Sequence, residues 1–513
     1  MNVYQNPRPA STAGLASCPA DILYLIFGLL APPDHRALCL VNKSLRTFAE
    51  ALLYSSIEWT WTEAHEPPPI TILLRTFLSR PELAAHVKNL RFDGQTLFSR
   101  GWVRSAIIPK IPLDVAGLGK AFAFIRGTGV PYADRWMEEL AAPGAGMCIA
   151  TIDALLALLL SQLPNLKRLY LGPNFVQDTR LIGMVLRSAI CEPGEYTLPD
   201  FRHLQDISFQ PRLNDSDEPS RYIKNTKDVL PFLYLPSLRR LSAGIENPVA
   251  WAWPAACLPI APNLRTLELS CIRELYLGEL LSGTQNVESL WFHWYFDWGL
   301  HYYRDRFTTN IVHLDQLGDA IAGIGSTLTD LTISAECDYA SGDIMRPAIK
   351  LEGSLHALLT CENIRELQVP LAFLVGFARD PTKRLHDAMP PNVEDVFITD
   401  DLAWQNDDLW DGTLPAWEWQ DYVIIDLIEK WLVDWKDGYC TPCLRRVTVL
   451  VSLTDDVLCP WLPPMQRRLT GLGVTYGLEV GFIELEEDPY MEEKTKVVRQ
   501  ARMRINRADS VRR

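Results

Sequence analysis

A short apolar phrase recurs along most of the chain, and it restricts the fold more than any other feature. It has an apolar residue, two variable residues, a second apolar residue, one variable residue and a third apolar residue. The last two apolar positions are two apart, as one buried face of a β-strand requires, and the first marks the turn into the strand. Copies begin at Val87, Leu166, Leu204, Leu264, Val287, Leu328, Ile364, Val393 and Leu444, with a partial copy at Leu238. The phrase predicts a series of short strands.

Segments with helical periodicity lie between these strands. Alternation of strands and helices predicts parallel strands with crossover helices, and the self-similarity favours a solenoid over a doubly wound sheet. The predicted fold class is therefore α/β. The expected helices cover residues 152–163, 181–190, 314–324, 355–361, 422–435 and 465–472.

Two copies of the phrase resemble a known type of repeat. LPNLKRLYL at Leu163–Leu171 and APNLRTLEL at Ala261–Leu269 resemble leucine-rich repeats, although the spacing between copies is uneven. The resemblance implies an irregular leucine-rich-repeat-like solenoid over residues 63–488, and some other α/β fold is the alternative. Insertions in a solenoid form loops, often where ligands bind. The longest insertions cover residues 98–147, 210–227, 291–313 and 402–420.

The stretch from Cys18 to Ile57 has helical rather than strand periodicity. Its first part, residues 22–30, is apolar over most of its girth, and about 40 residues cannot bury such a helix within themselves. After a break at residues 31–33, Asp34 is placed to cap a second helix whose apolar face extends to Leu53. Something outside this stretch is therefore expected to cover it.

This order of parts resembles the F-box, the helical module that docks substrate receptors onto a Skp-type adaptor in cullin ubiquitin ligases. Two positions depart from the family: Cys18 stands where Leu is usual, and Leu45 where Trp is frequent. The resemblance implies an F-box-like module over residues 18–62; an ordinary helical hairpin packed on its own domain is the alternative. The residues it assigns to adaptor binding are Pro19, Ile22, Leu23, Ile26, Phe27, Leu30, Leu38, Leu40, Val41 and Leu45.

Composition limits the partners. A net charge of −14 argues against nonspecific binding to nucleic acid or to an anionic membrane. No segment reaches the roughly 18 apolar residues of a membrane span. The apolar run at residues 22–31 is not interpreted as a signal peptide, because Asp21 abuts it and the helical pattern continues beyond it. We expect no membrane and no nucleic-acid partner.

Cysteine usage indicates a reducing compartment, since 11 cysteines are scattered and several sit in apolar repeats. The predicted location is cytoplasmic or nuclear. Cys440 and Cys443 form a lone C-x-x-C; Cys459 is the only other nearby thiol, and no His follows His386 to supply a fourth zinc ligand. A strand rather than a helix follows the motif, so we interpret it as a turn before that strand. The acidic pairs 400–401, 407–408 and 455–456 are interpreted as surface residues. No cofactor or metal is expected.

The two ends of the chain differ from its body. Residues 1–17 are rich in Pro, Ser, Ala and Asn, and we predict that they are disordered. Residues 489–513 form a charged tail whose basic part suits either a nuclear import signal or a terminal helix with a charged face.

Aromatic residues crowd one insertion. Trp294, Tyr295, Phe296 and Trp298 are nearly consecutive, so no regular helix or strand can bury all of them on one face. Because Trp and Tyr carry much of the binding energy of interfaces, these four residues are the predicted substrate-binding site. The alternative is a satellite core.

These features together predict an adaptor rather than an enzyme. The F-box-like module would hold a Skp-type adaptor, and through it a cullin, while the repeats select a protein substrate for ubiquitin transfer. A leucine-rich-repeat scaffold that acts outside a ligase is the alternative, and a hydrolase is third. The sequence contains no nucleophile elbow, phosphate loop or metalloprotease helix that would favour a hydrolase.

Overall fold

The protein has an α/β fold with a large parallel sheet, as the alternation of strands and helices predicts. The part that the structure describes divides into two compact units at Asp206. The structure is a computed structural model, and it describes residues 15, 18–62, 69–94, 108–109, 111–113, 118–143, 148–176, 179–209, 228–245, 247–248, 250–297, 309–338, 349–380, 382–403, 419–438, 440–453 and 461–486.

The first unit begins with three helices and continues with short parallel strands. The helices are α1 (Ala20–Gly28), α2 (Pro32–Val41) and α3 (Lys43–Leu53). Strands β1 (Ser56–Thr60), β2 (Asn89–Asp93) and β5 (Arg168–Leu171) pair in that order, and β3 (Ile111–Leu113) pairs antiparallel with β4 (Cys148–Ala150). The other helices are α4 (Ile70–Ser79), α5 (Pro81–Ala84), α6 (Leu118–Thr128), α7 (Ala133–Leu140), α8 (Ile152–Leu160) and α9 (Arg180–Ile190).

In the second unit, parallel strands follow one another in chain order, whereas β6 (Asp206–Phe209) lies at the division. The strands are β7 (Arg240–Gly244), β8 (Thr266–Ser270), β9 (Ser289–Asp297), β11 (Asp330–Asp338), β13 (Glu366–Pro370), β14 (Asp395–Thr399), β15 (Arg446–Leu453) and β16 (Glu479–Glu486). A separate parallel pair joins β10 (Ile311–His313) and β12 (Lys350–Glu352). The helices are α10 (Glu274–Ser282), α11 (Leu314–Ala322), α12 (Leu371–Val375), α13 (Asp421–Lys436) and α14 (Pro463–Tyr476).

Each copy of the recurring phrase contributes to one strand, which confirms the prediction of a series of short strands. In the copy at Leu264, the second and third apolar residues, Leu267 and Leu269, lie in β8 and are buried. Leu264 precedes the strand, and its N–H donates to the Ala261 carbonyl oxygen at 3.2 Å, which closes the expected turn. The phrase therefore encodes both the strand and the turn that leads into it.

A second repeated contact joins the residue directly before one strand, here called the pre-strand residue, to the next strand. The carbonyl oxygen of Lys88, before β2, accepts the N–H groups of Lys167 at 2.7 Å and Arg168 at 3.0 Å. The carbonyl oxygen of Arg365, before β13, accepts those of Glu394 at 2.8 Å and Asp395 at 3.0 Å. Neighbouring strands consequently begin in a common register.

Some expectations were wrong. The insertion at residues 98–147 contains α6 and α7, whose apolar residues recur at helical spacing; Trp136 of α7 is fully buried and donates to the Ala154 carbonyl oxygen at 3.0 Å. Strand β16 follows no copy of the phrase. The expected helix at 355–361 is a 3₁₀ turn at His356–Thr360. The insertion at 210–227 lies outside the described residues, as do residues 404–418 of another.

We predict that residues 63–488 unfold as one cooperative body, because each repeat buries its strand against its neighbours. A chain ending after Gly353 would lack β13 to β16 and would leave the paired edge of β11 and its buried side chains exposed. We expect this fragment to aggregate, whereas a chain ending after residue 488 should stay monomeric in size-exclusion chromatography with light scattering. A soluble, monomeric fragment ending at Gly353 would contradict cooperative stacking.

Candidate functional site

The three N-terminal helices, here called the helical module, have a small core of their own. Leu23 and Phe27 of α1 pack with Leu45 and Ala49 of α3, and all four are buried. The module therefore buries only one side of α1 by itself. That something outside the module covers the rest of this helix stays a prediction.

A break at Asn42 separates α2 from α3, where the sequence predicted one helix. The Asn42 backbone is extended, with φ −160° and ψ 165°, and its side-chain oxygen accepts the N–H of Leu45 at 2.8 Å. This is an N-cap, which favours the start of a helix at the next residue. Asp34 lies in the first turn of α2, where its carboxylate accepts the Ala31 N–H at 3.3 Å.

His35 links α2 to the end of α1. Its side chain is buried, and Nε2 lies 2.7 Å from the carbonyl oxygen of Phe27. The last carbonyl groups of a helix have no partner within that helix. The Phe27 carbonyl oxygen accepts the Leu30 N–H at 3.0 Å, and the imidazole is its second contact. The imidazole therefore has a structural role, and it fixes how α1 and α2 meet.

An apolar stripe of α1 faces away from the module core. Ile22, Leu25, Ile26 and Leu29 are all exposed, and their spacing of three, four and seven places them on one side of the helix. Leu29 is 89% exposed, and Leu40 at the end of α2 is 88% exposed. Large apolar side chains grouped on a surface mark an interaction site more often than scattered ones do. We call Ile22, Leu25, Ile26, Leu29, Leu40 and Val41 the exposed apolar set.

The ten residues that the F-box resemblance assigned to adaptor binding divide between the inside and the outside of the module. Leu23, Phe27 and Leu45 are buried in the core, so they are not accessible to a partner, and their assignment needs correction. Leu30 and Leu38 are half-buried against the same core. Pro19, Ile22, Ile26, Leu40 and Val41 are exposed.

Leu25 and Leu29 were absent from the predicted site although they are among the most exposed apolar residues of α1. The sequence contained a signal for both. Leu25 lies three positions after Ile22, and Leu29 lies three positions after Ile26, so a stripe through these two would have included them.

Arg80 ties α3 to the turn between α4 and α5. Its guanidinium donates to both carboxylate oxygens of Glu50, at 3.0 and 3.1 Å, while Arg46 donates to Glu50 at 2.8 Å. The hydrogen bonds from Arg80 lower the pKa of the Glu50 carboxyl below its ordinary value; burial opposes this effect, and the bond from Arg46 adds to it. The bidentate geometry fixes the orientation of α3, and it neutralises the charge of the Glu50 carboxylate.

The predicted aromatic substrate site is largely internal. Trp294, Tyr295 and Phe296 lie in β9 and are buried, so the expectation that some of them point outward is wrong for these three. Strand β9 pairs with β8 and β11, and the strands of a parallel sheet are often covered on both faces. Trp298 lies outside the described residues.

Trp294 belongs to a buried polar network. Its Nε1 donates to Glu274 at 2.8 Å, and the guanidinium of Arg273 lies over its ring at 4.5 Å. Arg273 also donates to Glu274 at 3.1 Å and to the carbonyl oxygens of Thr309 and Ile311. Both members of the ion pair are almost fully buried. This network anchors the start of α10 and residues 309–311 to β9.

Ser334 and His293 are directly paired across β11 and β9. His293 Nδ1 lies 2.9 Å from the Ser334 hydroxyl, and Nε2 lies 3.7 Å from a Glu336 carboxylate oxygen. The order serine, histidine, carboxylate invites comparison with a hydrolytic triad. However, the N–H of Ala335, next to Ser334, donates to Asp401 at 2.9 Å, so it does not stabilise an oxyanion. We interpret the trio as a link between strands.

Asp401 and the C-x-x-C motif have structural roles as well. Asp401 is buried, which corrects its interpretation as a surface residue. Cys440 and Cys443 lie in the turn before β15, as predicted, and burial raises the pKa of the Cys440 thiol. A raised pKa disfavours the reactive thiolate. Within the described residues, no group of three or more His, Cys, Asp or Glu is placed to hold a metal ion.

No family model matches this chain, and no curated protein matches its sequence. In the part of the chain that the structure describes, no helix is both long enough and apolar enough to cross a membrane.

The Glu50–Arg80 contact predicts a pH-dependent stability. A carboxyl with a lowered pKa stabilises the fold above the unfolded-state pKa, about 4.3, and this contribution is lost as the pH falls through the folded-state value. Glu50→Gln should therefore lower the free energy of unfolding by about 1–3 kcal/mol at pH 7. The difference should shrink in urea denaturation at pH 3.

Glu82→Gln is the matched control, because Glu82 also accepts from Arg80, at 2.9 Å, but is exposed. Its effect at pH 7 should be smaller than that of Glu50→Gln. An equal loss for Glu50→Gln at pH 7 and pH 3 would show that packing, rather than charge, is responsible.

The Trp294 network predicts that its loss lowers the stability of the fold. Glu274→Gln leaves the buried Arg273 without its counter-charge, which should cost about 3–5 kcal/mol of unfolding free energy. Glu279→Gln, on the exposed side of the same helix, should change it by less than about 0.5 kcal/mol. Thermal unfolding monitored by circular dichroism compares the two, and similar melting temperatures for both variants would contradict the role of the network.

Proposed function

We propose that the protein is a substrate-recognition subunit of a Skp–cullin–F-box type ubiquitin ligase. In this proposal the helical module binds a Skp-type adaptor, and the region of parallel strands binds a protein substrate. The chain itself would carry out no chemistry, because ubiquitin transfer would belong to other subunits.

The observation that carries the proposal is the exposed apolar set. The helical module completes its own core with Leu23, Phe27, Leu45 and Ala49, yet six large apolar residues remain outside that core. A helix with apolar residues spaced by three, four and seven suits a hydrophobic groove on another protein, where these side chains serve as anchors. Arg36 and Lys43 are exposed in the same module and suit an acidic rim on the partner.

The F-box resemblance implies that the partner with this groove is a Skp-type adaptor. The order of the three helices, the break at residues 29–31 and the apolar residues of α1 and α2 fit a module that docks onto a Skp-type adaptor. The second helix break, at Asn42, presents Leu40 and Val41 at a helix end rather than on a continuous helix face. Both features support docking by projecting apolar residues from more than one helix.

The substrate surface is sought on the strands rather than on the aromatic segment. Side chains that alternate with the buried apolar residues lie on the other face of the sheet. Trp291 and His293 are half-buried there, and each is hydrogen-bonded to the Ser334 hydroxyl. Polar side chains held by their neighbours form a defined surface that can recognise a protein segment. Tyr295 lies on the same face, next to the His293 ring at 6.4 Å, whereas Trp294 and Phe296 pack together on the opposite face.

Leu29→Ala and Leu40→Ala test the adaptor assignment. Both side chains are nearly fully exposed in the isolated chain, so truncation should leave the fold unchanged. Each variant should weaken binding to a purified Skp-type adaptor by about 1–3 kcal/mol, because large apolar anchors dominate interface energies. Isothermal titration calorimetry measures the affinity, and circular dichroism checks the fold.

Val474→Ala is the matched control, since Val474 is 89% exposed on α14, in the second unit. It should leave the affinity unchanged. Unchanged adaptor binding by the Leu29→Ala/Leu40→Ala double variant would overturn the proposal. If the adaptor binds but no cullin co-purifies with the complex, the alternative of a scaffold outside a ligase is supported instead.

A further inference from the structure

A cleft with a basic lining lies in the first unit, beside the helical module. Its volume is about 390 Å³, and it is lined from one side by residues of α1 and α3 and from the other by residues next to the strands. None of the lining residues carries a carboxylate. They are Tyr24, Ala51, Leu52, Ser55, Ala85, His86, Lys88, Asn165, Lys167 and His203.

Lys88 and Lys167 come from consecutive pre-strand positions, before β2 and β5. Lys167 donates its backbone N–H to the Lys88 carbonyl oxygen at 2.7 Å, so the two residues are neighbours across adjacent strands, which lie about 4.8 Å apart in a sheet. Both side chains are exposed. Like charges on adjacent strands repel each other, and an anion bound by both lysines would offset that repulsion.

Two other basic pre-strand residues have carboxylate partners. Arg265 pairs with Glu288 of the next pre-strand position at 3.2 Å, and Arg445 pairs with Glu394 of the preceding one at 2.8 Å. Among the described residues, no carboxylate pairs with Lys88 or Lys167. The carboxylate of Asp206, at the next strand, is paired with Arg168 at 3.1 Å. Lys88 and Lys167 are thus two adjacent cations that no carboxylate of the described residues neutralises.

The walls of the cleft add hydrogen-bonding groups. Asn165 donates to the Ala85 carbonyl oxygen at 2.8 Å, which fixes its amide. His86 and His203 also line the cleft. Tyr24 and Leu52 contribute apolar surface, and the Tyr24 ring is held by an edge-to-face contact with Phe48 at 5.2 Å. A volume near 400 Å³ lies at the small end of ligand pockets, which suits a ligand larger than a bare ion.

We propose that this cleft binds the phosphate group of a small phosphomonoester, with Lys88 and Lys167 as the charged ligands and the Tyr24–Leu52 wall against the organic part. Lysine is a common phosphate ligand because its ammonium group donates in several directions. A cleft of this charge in a chain with a net charge of −14 is a local exception that concentrates anions at one place. The inference is independent of the proposed ligase role.

Titration calorimetry of the full chain with phenyl phosphate, inorganic phosphate and phenol tests the proposal. Phenyl phosphate should bind more tightly than inorganic phosphate, and phenol should not bind. Lys88→Gln and Lys167→Gln should each weaken phenyl phosphate binding about tenfold or more, as expected for loss of a charged hydrogen bond. Equal affinities for phenyl phosphate and inorganic phosphate would show that the cleft takes free phosphate, and would overturn the phosphomonoester assignment.

Arg239→Gln is the matched control, because Arg239 is an exposed pre-strand cation outside the cleft. It should leave the affinity unchanged. Binding that the lysine variants do not weaken, or that Arg239→Gln weakens equally, would overturn the proposal.

The wild-type chain gives a second measurement that needs no variant. Bound phenyl phosphate should slow acetylation of Lys88 and Lys167, but not of Lys120 on α6, as followed by mass spectrometry. Equal slowing of all three would also overturn it.

Discussion

The structure depends on one backbone arrangement, in which the carbonyl oxygen of a pre-strand residue accepts two N–H groups from the start of a neighbouring strand. From Arg265 to Glu288 and from Glu288 to Thr329, each such contact sets where the next strand begins. The apolar residues of successive strands then lie side by side, as Leu267 and Leu290 do. Insertions between strands do not disturb this register, because the contact is made at the start of a strand rather than along the connection.

The helical module uses α1 in two ways. Leu23 and Phe27, four residues apart, complete a core with α3, while Ile22 and Ile26, each one position earlier, face outward. Contacts at the ends of helices hold the module together: His35 on the Phe27 carbonyl oxygen, Asn42 at the start of α3 and Arg80 on Glu50. The outward stripe is therefore presented by a helix whose orientation does not depend on a partner.

Much of the fold was predictable, because a period-two pattern with a preceding turn residue specifies a buried strand locally. The strands at Leu264 and Val393 follow from their phrases alone. Side-chain position on α1 was less predictable, since a helix that is apolar on nearly all sides does not indicate which side meets its own α3. The burial of Trp294 depends on Glu274 and Arg273, 20 and 21 residues earlier. Such a contact leaves no periodic signal.

The exposure of the apolar set has a consequence for the life of the protein in a cell. A chain that presents Leu29 and Leu40 to water offers the kind of surface to which chaperones and quality-control proteases respond. A partner that covers this surface also stabilises the folded chain by mass action. The steady-state amount of the protein would then follow the supply of that partner, so that unassembled copies are removed and subunit stoichiometry is maintained without separate control of synthesis.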